Sequence, residues 1–170
     1  MTSRAASARL WFALGALACA GLLAYALVLQ YFQGQDPCPL CLVQRAFFTL
    51  FMAAFLVGAL HNPGRTGSVV YAVLGLLAAA GGFAVAARQV WLQHLPKDQV
   101  PACGPDLYFM LQNFPLARTL EKLFTGTGEC AEVKWRLLGL SIAEWSLAWF
   151  AALALYALWL AARAQRSRRT

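Results

Sequence analysis

Charge is scarce in this chain. Charged residues fill 12% of its 170 positions while 61% are hydrophobic; a soluble domain carries about 25% charged residues. That shortfall argues against an ordinary water-soluble globule and points to lipid as the solvent. Acids are scarcer still. Of the seven, one is Asp36 and the rest lie between Asp98 and Glu144. No Asp or Glu falls well inside an apolar run, which argues against a cation-coupled transporter, whose path is expected to carry an ionisable group at mid-membrane. No internal repeat is present. The length is that of one ordinary domain, so a single membrane unit over 1–170 is expected.

The net charge of +7 does not point to nucleic acid once its distribution is considered. Seven basic residues have no acid nearby: Arg4, Arg9, Arg65, Arg163, Arg166, Arg168 and Arg169. The excess therefore sits at the N-terminus, in one short turn and in the C-terminal tail, the positive-inside pattern of a membrane protein.

Four apolar runs are long enough for the roughly 20 helical residues that a bilayer crossing needs. They cover about Leu10–Leu29, Leu42–Leu60, Ser68–Ala87 and Trp145–Ala162. Lipid cannot satisfy bare backbone, so helices are the expected solution, and the fold class is an all-α four-transmembrane-helix bundle. The first run is too long for a signal-peptide core of about 7–15 residues, and Cys19 within it reads as a small apolar filler. Gly75, Gly81 and Gly82 in the third run permit close helix approach. The turn His61–Gly67 carries Arg65 and faces the cytoplasm, as do both termini. This leaves two outer loops, a short one near 30–41 and a long one near 88–144. Within the long loop, Leu116, Leu120, Leu123 and Phe124 share a helical face, as in a segment lying on the outer leaflet. Trp11, Trp91, Trp145 and Trp159 fall near span ends and read as an interfacial belt without chemistry.

Apart from Cys19, the cysteines are Cys38, Cys41, Cys103 and Cys130, all in the outer loops. An oxidising compartment is where disulfides persist. Two cysteines per loop invites Cys38–Cys41 and Cys103–Cys130, although four cysteines allow three connectivities. Cys38-Pro39-Leu40-Cys41 is a CxxC motif at the entry to the second span, where Pro37 and Pro39 suit a first helical turn. In that turn, free N–H groups and the helix dipole favour a thiolate at Cys41. Arg45 follows one turn later and is the only charged residue well inside an apolar run. Burying it costs at least about 2.5–3.5 kcal/mol on insertion scales, so it needs a partner. Either it snorkels to the interface, or it faces the bundle, beside the Cys41 thiolate and the oxygen of a lipid-soluble electron acceptor. A redox dithiol beside a cation at the membrane edge suits electron transfer to a quinone.

These residues resemble the disulfide bond formation protein B (DsbB) family of bacterial inner-membrane thiol oxidases. The likeness is carried by Pro37-Cys38-Pro39-Leu40-Cys41 with Arg45, by Trp91-Leu92-Gln93 and Pro101-Ala102-Cys103, and by Gly128-Glu129-Cys130-Ala131-Glu132 with Trp135 and Leu138-Gly139-Leu140. It implies that a reduced periplasmic DsbA-like partner attacks Cys103, whose disulfide mate is Cys130. Cys130 then exchanges with Cys38, and Cys41 faces a membrane quinone, ubiquinone or menaquinone, that Arg45 helps to hold. The family often has an acid where this chain has Gln44, and a polar residue or histidine near the end of the third span, where Arg88, Gln89 and His94 stand here. The energetics suit this direction. A DsbA-type dithiol is known to sit near −120 mV, so a thioredoxin-like acceptor near −270 mV would make its oxidation uphill by about 7 kcal/mol. A higher-potential acceptor is needed.

The rival within the same chemistry is a quinone-linked thiol enzyme similar to the vitamin K epoxide reductases, whose chain order and loop pattern match less well. From another class, a four-span transporter or a metal-binding protein with structural disulfides would differ in a simple way. Its thiols would hold zinc, or its disulfides would be inert to quinone.

Overall fold

The computed structural model describes residues 2–96, 98–101, 112–115, 117, 126, 128–133 and 135–166. Cys103, Arg168, Arg169 and nearly all of the 116–124 segment lie outside these described residues. Four long helices dominate: α1 (Thr2–Gln33), α2 (Pro39–His61), α3 (Arg65–Gln93) and α4 (Ile142–Arg166). Each is long and apolar enough to cross a membrane, and the chain is a multi-pass membrane protein with the expected all-α four-span architecture. Between α3 and α4 come a 3-10 turn (Gly128–Ala131) and a two-stranded antiparallel hairpin, β1 (Arg136–Leu137) with β2 (Leu140–Ser141), pairing Arg136 with Ser141.

The helix ends have local causes. At the start of α2, Cys38 is extended, with φ −68° and ψ 164°, and its Sγ accepts the N–H of Cys41 while proline fills the first helical positions. Asn62, in the left-handed region, closes α2 by donating its N–H to Gly58 O. The helix α4 opens with a capping box: the Ser141 N–H donates to Glu144 Oε2 at 2.7 Å, and the Glu144 N–H donates to Ser141 Oγ at 3.3 Å. Ser141 Oγ also donates to Gln93 Oε1 at 2.8 Å, tying the end of α3 to the start of α4. Both helices therefore run past the apolar spans expected from composition, α3 to Gln93 rather than Ala87 and α4 from Ile142 rather than Trp145.

Aromatic rings fill the core. Phe48 stacks on Phe150 at 4.0 Å, Phe51 on Phe55 at 4.1 Å, and Phe12 meets Phe55 edge-on. The glycines of α3 make room for these rings, since a Cβ at Gly75 would strike Phe55 and one at Gly82 would strike Phe150. Cys19 is fully buried in the same cluster. At the end of the bundle away from Cys38, α4 is pinned to α1. There the Tyr156 hydroxyl donates to Trp11 O at 2.7 Å, Trp11 meets Trp159 edge-on, and Arg163 lies over both indoles.

Ring-on-glycine packing makes Gly82 sensitive to any added carbon. Gly82→Ala should lower stability by about 1–3 kcal/mol, the usual range for overpacking, because Phe150 is backed by Phe48. Gly21, which has nothing within 4 Å of a built Cβ, should accept alanine at no loss. Unfolding in mixed detergent micelles followed by tryptophan fluorescence provides the comparison. Equal behaviour of the two variants would contradict this account of the core.

Candidate functional site

The site is built around the first turn of α2. The Cys38 and Cys41 sulfurs lie 2.8 Å apart. Leu40, between them in sequence, points the other way and is fully buried with Val85, Leu92 and Cys130. That apolar patch seats the loop carrying Cys130. Gly126 lies flat on it with φ +80°, where a Cβ would collide with Leu40 and Leu92. Only a residue without a side chain fits this combination of close approach and left-handed backbone. Cys130 is 0% exposed and hydrogen-bonds Cys38. Three of the four outer-loop cysteines are thus gathered at one point.

A cavity of about 870 Å³ opens beside them, within the usual size of small-molecule sites, about 300–1,000 Å³. Cys38, Cys41, Arg45 and Gln89 line it, with Tyr25, Trp135, Trp145 and Trp149 among its aromatic walls. Trp145 donates its indole N–H to Leu137 O at 3.1 Å, and Tyr25 meets Trp135 edge-on. Trp145, at the start of its span, is thus also cavity wall.

Arg45 turns toward α1. It donates to Gln30 Oε1 at 2.6 Å and to Ala26 O at 3.1 Å, and is half-buried. Both acceptors are uncharged, and the carboxylates of the cavity lining belong to Asp36, Glu129 and Glu132. The hydrogen bonds of Arg45 go to α1 and none goes to the Cys41 sulfur. Polar contact with that sulfur comes from Gln89, whose Nε2 lies 3.3 Å from Cys41 Sγ and 3.4 Å from Cys38 Sγ. Gln44 donates to Gln89 Oε1 at 2.6 Å, and both amides are nearly fully buried.

His94 is exposed and bonds Val90 O, and His61 bonds the Tyr71 hydroxyl; neither hydrogen bond involves the sulfurs. Arg88 lies over the Trp91 ring at 4.3 Å. Gln30 escaped the sequence reading altogether. Its only signal was a polar side chain at the end of an apolar run. Among the described residues no group of three or more His, Cys, Asp or Glu side chains is arranged to hold a metal.

A four-span bundle with a CxxC pair at a helix start and a third cysteine packed on it defines a membrane protein of the thiol–disulfide class. The chain matches the family described as disulfide bond formation protein DsbB over residues 8–160. It is 53% identical over 152 residues to disulfide bond formation protein B of Hahella chejuensis, covering 89% of this chain and 91% of that one. The protein of the same name from Nitrosococcus oceani is 50% identical over 153 residues, covering 90% of each. That from Xanthomonas euvesicatoria is 48% identical over 162 residues, covering 95% and 94%. The chain belongs to the DsbB family and is a membrane protein of disulfide bond formation.

The hydrogen bonds that the Cys38 thiol donates to Cys130 and to Cys41, together with burial, push it well above its ordinary range. Cys38 in the reduced protein therefore remains a thiol at pH values where a free cysteine, near about 8.5, is already ionising. Since the thiolate is the reactive form, Cys38 should alkylate slowly there and speed up only at higher pH. Cys130→Ala removes the largest cause and should move that midpoint downward. Iodoacetamide labelling across pH, resolved by peptide mapping, checks this. An unchanged midpoint would mean that Cys130 does not hold Cys38.

Proposed function

We propose that this protein is a thiol oxidase that reoxidises a periplasmic DsbA-like dithiol protein and passes the electrons to a membrane quinone. The observation that carries this reading is the convergence of Cys130, Cys38 and Cys41 beside a cavity whose wall includes Arg45. In this reading the chain sits in the bacterial inner membrane with both termini cytoplasmic, so that the cysteine cluster faces the periplasm.

The order of exchanges is the one that the family resemblance implies, and the closeness of Cys130, Cys38 and Cys41 supports its middle step. A partner thiolate attacks Cys103 of a Cys103–Cys130 disulfide. The partner's second thiol then resolves the mixed disulfide, leaving the partner oxidised and the Cys103–Cys130 pair reduced. The Cys130 thiolate attacks Cys38 of the Cys38–Cys41 disulfide, forming Cys38–Cys130 and releasing Cys41 as thiolate. Attack at Cys38 is the productive direction, because a sulfur whose thiol is held protonated is a poor leaving group. Cys103 then attacks Cys130 of that bond, restoring Cys103–Cys130 and returning Cys38 as thiolate; Cys38 and Cys41 close again to a disulfide as their electron pair leaves by way of the Cys41 sulfur, which lines the cavity. The quinone, ubiquinone or menaquinone, supplies the acceptor chemistry, taking up two electrons and two protons. Arg45 presents guanidinium charge where negative charge must accumulate, in a low-dielectric setting where preorganised donors act most strongly. An enzyme of the vitamin K epoxide reductase type would share the final step, but it draws no support from the similarity over residues 8–160.

Two sets of variants test the reading. Cys103→Ser and Cys130→Ser should each block turnover of the protein partner. Both should retain more quinone-dependent oxidation of a small dithiol than Cys41→Ser does. Quinone absorbance and free thiols report the two halves. Equal loss of both activities in every variant would overturn the division of roles. Arg45→Met should leave the protein folded while weakening or slowing quinone reduction several-fold or more, as expected from about 1.5–3 kcal/mol for a hydrogen bond to a charged group. Lysine should rescue only in part, since it lacks the planar fork. Unchanged steady-state kinetics at low quinone in Arg45→Met would place the acceptor elsewhere.

A further inference from the structure

We propose that Gln89, held in place by Gln44, is the group that stabilises the Cys41 thiolate released when the Cys38–Cys41 pair is opened. The inference rests on the thiol-oxidase reading for its purpose, but not for its geometry.

A sulfur that leaves as thiolate inside an apolar wall needs a donor, because an unpaired buried charge is costly. Arg45 does not supply it, since both of its hydrogen bonds run to α1. The Gln89 amide does, with Nε2 3.3 Å from Cys41 Sγ and 3.4 Å from Cys38 Sγ. The same amide carries an acceptor: Cys41 Sγ lies 3.7 Å from Gln89 Oε1, placed to donate when protonated. One side chain can therefore follow the sulfur through both states, accepting from the thiol and donating to the thiolate. Gln44 decides which end of that amide is available. By donating to one lone pair of Gln89 Oε1 at 2.6 Å, it fixes the orientation of the amide and leaves Nε2 toward the sulfurs. Gln44 reaches only Gln89 and is a positioning residue, whereas Gln89 touches both reacting atoms.

The choice of an amide has a chemical consequence. An amide does not titrate, so its donor strength toward sulfur is constant across the working pH range. It also adds no net charge to the apolar wall, so the pair can be buried at 3% and 4% exposure without the desolvation cost of an ion.

The test is the redox equilibrium of the Cys38–Cys41 pair in the full-length protein. Samples are equilibrated in graded thiol–disulfide buffers, quenched with acid and read by peptide mapping. No quinone is present. Gln89→Leu should shift the equilibrium toward the disulfide by about ten-fold or more, the size of one hydrogen bond to a charged group, equivalent to about 30 mV for a two-electron couple. The shift should widen as pH rises and thiolate replaces thiol, which a merely structural role would not produce. Because Gln89→Leu strands the Gln44 amide, the double variant Gln44→Leu/Gln89→Leu is the companion. Removing both partners of a buried hydrogen bond is close to neutral for stability, yet the same redox shift is expected. Gln89→Glu should shift the same way at high pH, where its carboxylate faces the sulfur, and lose that shift at low pH as it regains a proton to donate. Equal potentials in the unmodified protein and the double variant would overturn the proposal. A shifted potential together with an unmodified protein that cannot reduce quinone would sustain it and overturn the acceptor assignment instead.

Discussion

The first turn of α2 is the constraint on which the site depends. Pro39 brings no N–H to that turn, and Cys38, extended before it, offers Sγ to the Cys41 N–H. The helix therefore cannot begin earlier, and both sulfurs are fixed on the same turn. Leu40, one step round the helix, is pushed into the patch with Leu92 and Cys130, which sets where the distant loop docks. Gln44 and Arg45 follow at the next turn and diverge, one toward α3 and the other toward α1. Side-chain direction on one helix thus separates the thiol chemistry from the cationic wall of the cavity.

Much of this was legible in the sequence, because lipid restricts the backbone to a short menu. The four runs, the CxxC motif at the start of the second and the isolated Arg45 could be read directly. The helix ends on the cysteine side were read short, for an informative reason. Arg88, Gln89 and Gln93 end the apolar stretch of α3 by composition, yet the helix continues because the folded protein gives these side chains partners. Gln89 pairs with Gln44 and Gln93 accepts from Ser141. The start of α4 was readable in principle from Ser141 and Glu144, spaced as a capping box, but the apolar count began only at Trp145. The residues that looked like the edge of the membrane span are those that build the site.

The contact between Gln89 and the sulfurs could not be read from sequence, because it links positions 48 and 51 residues apart and depends on the register of α2 against α3. That register is set by shape. The Phe55 ring over Gly75 and the Phe47 ring over Gly81 lock the two helices at a height that brings Gln89 level with Cys41. Core packing and site geometry are therefore the same problem here. A ring that lost its glycine would move the amide as well as loosen the bundle.

Arg45 was expected to serve both sulfur and acceptor; its hydrogen bonds run to α1, and it is Gln89 that reaches the sulfurs. A guanidinium at van der Waals distance from the sulfurs would stabilise the thiolate so strongly in a low-dielectric wall that the electron pair would be harder to release. A neutral amide stabilises it less, since each hydrogen bond to charge contributes only about 1.5–3 kcal/mol. Arg45, bonded to the uncharged acceptors Gln30 and Ala26 O, keeps its field directed into the cavity. In the proposed function, negative charge leaving Cys41 would move from a weak donor toward a guanidinium. On that proposal the side chains would favour transfer away from sulfur without any of them having to move.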